Sequence, residues 1–179
     1  MSIALALECV GQTASQILLK LAITSHEPHR ILIPFPQITG LQFTDAKRVD
    51  AEWRTHLMIH ASWSGLVLNP GESKTVRLSV RPASTPHPTR NDQADSDYRR
   101  WAISITAGRY DVRFSMSVDG NYFDGDSHYR LPDVEKEARE LEARAWVGEA
   151  KSNVITIEHT EPPAPPNAAS AEAPPASVS

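Results

Sequence analysis

The 179-residue sequence holds one cysteine, Cys9. A lone thiol cannot close an internal disulfide, and small secreted domains usually rely on several, so a reducing, cytoplasmic compartment is expected. Basic residues are outnumbered by acidic ones, with a formal net charge of −4 at pH 7. There is no cationic surplus to release counterions from nucleic acid, and nucleic acid is not an expected partner. No apolar run approaches the about 18 residues of a membrane span, so no membrane partner is expected either. Residues 1–9 look briefly like an export signal, but no Lys or Arg precedes the short apolar stretch. Glu8 also stands where a lipoprotein signal needs a small residue before its cysteine. The segment is predicted to be a strand, on which Cys9 alternates with Ile3, Leu5 and Leu7 as a buried, inert thiol. Also missing are a Gly-x-Ser-x-Gly elbow, a phosphate-cradling glycine loop and a dinucleotide fingerprint, so neither an enzyme nor a cofactor is expected.

What is present is the composition of one ordinary globular domain, 40% hydrophobic and 22% charged, enough for a core without covalent staples. The expected division is a β-sandwich over 1–159 and a disordered Pro/Ala-rich tail over 160–179, whose residues offer almost nothing to bury. Its Pro162–Pro166 stretch fits a short polyproline II ligand, although a solubilising tether accounts for the same composition.

Turn chemistry punctuates the remainder. Asn69-Pro70-Gly71-Glu72 places proline where φ must be near −65° and glycine where it must be positive, a type II turn joining strands at 66–68 and 74–80. Tyr110, Val112, Phe114, Met116 and Val118 alternate with Asp111, Arg113, Ser115 and Ser117, the strongest strand pattern in the chain. It runs into Asp119-Gly120, which signals a type I′ hairpin. Further strands are predicted at 3–10, 16–24, 31–33, 40–43, 52–62, 102–105 and 153–158. Many short strands without strand–helix alternation predict an all-β, antiparallel sandwich. One helix interrupts it at 131–144, begun by Pro132 and Asp133 and supported by Glu135/Arg139 and Glu140/Arg144 in i,i+4 register. The alternation of Leu141, Ala143 and Ala145 leaves a strand open for its second half.

Thr106-Ala107-Gly108-Arg109-Tyr110-Asp111-Val112 resembles the Gly-x-Tyr-x-Val element of bacterial immunoglobulin-like domains, in which the tyrosine hydroxyl ties down a corner of the sandwich. Residues 146–157, with Trp-x-Gly and Ser-Asn before an apolar alternation, resemble their closing strand, and the Leu68–Glu72 turn fits the same plan. Together these are similar to the bacterial intracellular proteinase inhibitor domain over about half of the ordered chain. The resemblance implies an immunoglobulin-like fold and, more distantly, inhibition of a proteinase; it assigns no functional residue.

Several clusters could carry chemistry. His26-Glu27-Pro28-His29 offers two imidazoles and a carboxylate, and His56 and His60 share a face of a predicted strand, but a catalytic metal needs about three converging ligands. Asp119–Asp126 has the oxygens and glycines of calcium loops without EF-hand spacing, and Asp92, Asp95 and Asp97 could add carboxylates. Turn formation and solvated loops explain these residues better, so no metal, cofactor or catalytic residue is assigned. Trp53, Trp63, Trp101 and Trp146 are expected in core and rim packing, with Trp63 and Trp101 the most exposed. The long polar loop at 83–100 is a candidate interface. The chain is therefore expected to be a non-enzymatic module binding another protein through loops or strand edges, as monomer or homodimer. An inhibitor or immunity protein and a metal-dependent enzyme or calcium-responsive module are the alternatives.

Overall fold

A computed structural model describes residues 2–54, 65–82, 102–119 and 128–160. In chain order the strands are β1 (Ile3–Thr13), β2 (Gln16–Ser25), β3 (Ile31–Pro34), β4 (Leu41–Asp45), β5 (Trp53–Arg54), β6 (Gly65–Leu68) and β7 (Ser73–Pro82). They continue as β8 (Ala102–Ile103), β9 (Gly108–Asp119), β10 (His128–Arg130), β11 (Arg144–Ala145), β12 (Gly148–Lys151) and β13 (Ile155–His159), with helix α1 (Leu131–Glu140) between β10 and β11. One sheet runs β1-β2-β7-β8-β5; the second is built on β9, flanked by β4 and β10 on one edge and by β12 and β13 on the other. A small third sheet, β11-β3-β6, carries α1. This is the all-β sandwich with one inserted helix that the alternation predicts.

The period of two decides what lies inside. On β2, Ile17, Leu19, Leu21 and Ile23 are fully buried, and on β9 Tyr110, Val112, Phe114, Met116 and Val118 face the same core. Each such side chain contributes roughly 1.5–3 kcal/mol on leaving water, which makes these two strands the centre of the fold. Ile31, Leu32 and Ile33 are all buried in succession because β3 is covered on both faces, with α1 on one of them through Val134 and Ala138.

Side chains and turns lace the two edges of the sandwich. At one edge, Leu5 bridges Ser152, and the Asn153 amide copies a peptide group: Leu7 N–H donates to Oδ1 at 2.7 Å, and Nδ2 donates to the Leu7 carbonyl at 3.0 Å. At the other, the turn after β4 is held by Asp45 Oδ1, which accepts from the N–H groups of Lys47 and Val49 at 2.8 and 2.9 Å. The chain then pairs back, Ala51 N–H donating to the Phe43 carbonyl at 2.8 Å, and crosses to the first sheet as β5.

The type II turn forms as expected: Gly71 has φ 71° and Glu72 N–H donates to the Asn69 carbonyl at 3.0 Å. Tyr110 makes the expected corner, its hydroxyl accepting from Thr106 N–H at 3.1 Å and lying 3.3 Å from the Thr106 carbonyl. Helix α1 stops at Glu140. Glu142 adopts φ 51° and Ala143 N–H reaches the Ala138 carbonyl at 2.9 Å, a Schellman-type ending, after which Arg144–Ala145 becomes strand.

Three expectations need correction. Cys9 is exposed: it keeps the register of Leu5 and Leu7, opposite Leu19, but at this end of β1, beside the bulge at Val10, the thiol is left uncovered. The pairing is not wholly antiparallel: β10 with β9, β11 with β3 and β7 with β8 run parallel, and none of these pairs is joined by a tight hairpin turn. The turn expected at Asp119-Gly120 lies outside the described residues, and the next described strand pairs with β9 in parallel, His128 opposite Ser117. Neither Glu135/Arg139 nor Glu140/Arg144 forms an ion pair among the described residues, since all four side chains are exposed and Arg144 has already left the helix. Trp63, Trp101, the 83–100 loop, the strand beyond Arg54 and the tail from 161 onward lie outside the described residues.

Candidate functional site

The outward face of β9 is a grid of polar side chains, because the residues that alternate with its buried row must meet solvent. Asp111, Arg113, Ser115 and Ser117 are half-buried along it. Cross-strand registers set Thr44 and Thr156 beside Asp111, Gln42 beside Arg113, Lys151 beside Ser115 and Glu149 beside Ser117. Thr156 Oγ1 donates to Asp111 Oδ1 at 3.0 Å, and Arg48 Nη1 lies 4.0 Å from Asp111 Oδ2. Arg113 Nη2 donates to Gln42 Oε1 at 3.0 Å, while Arg113 Nε is buried with no hydrogen-bond partner among the described residues.

This edge of β9 has a gap. Pairing with β4 ends at Leu41 opposite Phe114, and pairing with β10 begins at His128 opposite Ser117, so no described strand stands opposite Ser115 and Met116 there. A recess of about 330 Å³ occupies that position. Ser115, Met116 and Ser117 form its floor; Thr39 to Gln42 line the side where the chain turns through the 3₁₀ segment Ile38–Gly40 into β4. Asp50, Ala51 and Trp53 contribute another wall, and Glu149 and Lys151 stand on β12 beyond the floor.

The network around the recess is largely pre-set. Gln42 Oε1 accepts from Arg113 and lies 3.4 Å from Ser115 Oγ, which leaves the amide nitrogen of Gln42 as its available donor. Asp50 Oδ1 is held by Thr44 Oγ1 at 2.6 Å. Trp53 Nε1 donates to the Leu41 carbonyl at 2.9 Å, and the indole meets Phe43 edge-on, centroids 6.3 Å apart, so its position is fixed. Glu149 and Lys151 are exposed and make no ion pair among the described residues.

The metal candidates fall elsewhere. His26 to His29 connect β2 and β3; Glu27 is buried and accepts from Ser2 N–H, and His29 Nε2 lies 3.9 Å from Glu27 Oε2, while His26 is exposed. Among the described residues no three His, Cys, Asp or Glu side chains converge as metal ligands. His56, His60, Asp92, Asp95, Asp97 and the loop 120–126 lie outside the described residues.

Sequence reasoning saw Asp111, Arg113, Ser115 and Ser117 only as the solvent side of a strand. It missed Gln42, Asp50, Glu149 and Lys151, which come from segments more than 100 residues apart at the extremes and meet only through sheet pairing. No protein-family model matches the chain, and a search of the curated proteins finds no match. Among the described residues no helix is long and apolar enough to cross a membrane.

Proposed function

We propose that the chain is a non-enzymatic binding module that docks a partner protein on the outward face of β9 and takes one group of that partner into the recess. The observation that carries this reading is the recess itself: a hollow on a β-sheet face bordered by Glu149 and Lys151, which are exposed and make no ion pair among the described residues. Of the hydroxyls that line the recess, that of Ser115 lies 3.4 Å from Gln42 Oε1, an amide oxygen and no general base, which favours binding over catalysis. Binding residues carried by loops and a sheet face need little reordering on association, which favours affinity.

The test is capture from native lysate by the full chain, by a Glu149→Ala/Lys151→Ala variant, and by a Lys20→Ala/Arg77→Ala variant on the outward face of the other sheet. Arg77, Glu149 and Lys151 are exposed and Lys20 is half-buried at the surface, so folding should survive in each. Loss of a partner with the first variant and its retention with the second supports the recess. Retention by both variants contradicts it.

A further inference from the structure

We infer that the group recognised in the recess is a neutral, hydroxyl-rich ring, a saccharide or a polyol of the same shape; this deepens the binding reading above and rests on it. The charge arrangement carries the argument. Asp50 and Glu149 bring carboxylates to the recess, Lys151 brings an ammonium, and the guanidinium of Arg113 is hydrogen-bonded to Gln42 in its lining. A charged ligand of either sign would meet a like charge on one side, and repulsion is stronger in a half-buried hollow than in water.

A neutral ligand bearing both donors and acceptors meets no such conflict. Its hydroxyls can donate to the carboxylates and accept from Lys151 Nζ and from the Gln42 amide nitrogen, and hydrogen bonds to charged groups are the stronger kind. Thr39 and Ser117 add hydroxyls that rotate to suit either role, and Ser115 Oγ, directed at Gln42, can still accept. Trp53 has already committed its N–H to the Leu41 carbonyl, so what it presents to the recess is carbon surface, which suits the C–H face of a sugar ring. A volume of about 330 Å³ lies at the small end of ligand sites and limits the occupant to a ring or two rather than a long chain.

The experiment is an ¹⁵N NMR titration of the full chain with glucose, galactose, mannose and N-acetylglucosamine, beside acetate and guanidinium as charged probes. The expected result is saturable shifts for at least one sugar, confined to residues 39–42, 50–53, 115–117 and 149–151 and to the Trp53 indole N–H. A Glu149→Gln/Lys151→Met variant, whose spectrum reports its own folding, should weaken that sugar at least about tenfold, as the loss of hydrogen bonds to two charged groups implies. Tighter binding of acetate or guanidinium than of any sugar overturns the inference, as does a recess that shifts with a captured partner and with no sugar; both leave the binding module standing. A partner whose capture ignores the recess variants removes the binding reading itself, and this inference with it. If enzymatic deglycosylation of the partner abolishes capture, the ring is a glycan on that partner; sugar binding with capture unaltered by deglycosylation identifies a free saccharide.

Discussion

Replacing Asn153 with alanine removes the side chain that hydrogen-bonds both backbone groups of Leu7, at 2.7 and 3.0 Å, where β1 meets the second sheet. Each of these bonds is worth about 1 kcal/mol net, and Leu7 is only 4% exposed, so its freed N–H and C=O are poorly placed to find water. Asn153→Ala should therefore cost about 2–3 kcal/mol, above the range of ordinary surface substitutions although the asparagine itself is exposed. In urea the midpoint should fall with the slope unchanged, and the thermal midpoint should drop by about 2–4 °C for each kcal/mol. Asn153→Asp keeps an acceptor for the Leu7 N–H but sets a carboxylate against its carbonyl, and should not restore stability. Hydrogen exchange at the Leu7 amide should accelerate in both variants. A loss under about 0.5 kcal/mol, with unchanged exchange at Leu7, would refute the claim that this amide closes the edge of the sandwich.

Three further outcomes follow from local geometry. Tyr110→Phe deletes the hydroxyl that holds the Thr106 backbone and should cost about 1 kcal/mol by urea unfolding, with exchange at Thr106 raised; an unchanged midpoint would show that the corner adds nothing. Gly71→Ala meets no atom within 4 Å, so its cost, about 1 kcal/mol, should be purely that of placing a side chain at φ 71°; no loss would contradict the type II turn. The Glu72 carboxyl is held below its ordinary value of 4.5, first by the Asn69 N–H and then by Lys74, whereas burial, with the charge of Glu140 adding to it, raises the Glu137 carboxyl. A depressed carboxyl stabilises above its unfolded pKa and loses that contribution as pH falls through its folded value; a raised one stabilises only at low pH and loses that contribution as pH rises through its folded value. Glu72→Gln should thus lower the thermal midpoint at pH 7 and converge on the parent in acid, while Glu137→Gln should raise it at pH 7; the reverse signs would refute the assignment.

The elements that sequence reveals are those whose cause is local. Alternation along β9, proline and glycine at the 69–72 turn, Pro132 and Asp133 at the head of α1 and Tyr110 after Gly108 all act within a few residues, and each appears in the structure as expected. Cys9 keeps the alternation of Leu5 and Leu7 and is exposed all the same, because alternation tells which face a side chain takes and not how far along the strand that face is covered. The strands β10, β11 and β12 carry two to four residues each, too few for a period to register, and exist because β9 and β3 offer them edges. The recess was invisible for the same reason. It exists because β4 stops two residues before the point where β10 begins, a mismatch of pairing ranges that no single segment encodes.

The most direct test of the account is a hydrogen-exchange footprint of the captured partner on the full chain. Protection concentrated at residues 39–42, 115–117 and 149–151 is the predicted result. Protection on the outward face of β1, β2 and β7, with the recess exchanging as in the free protein, would contradict it.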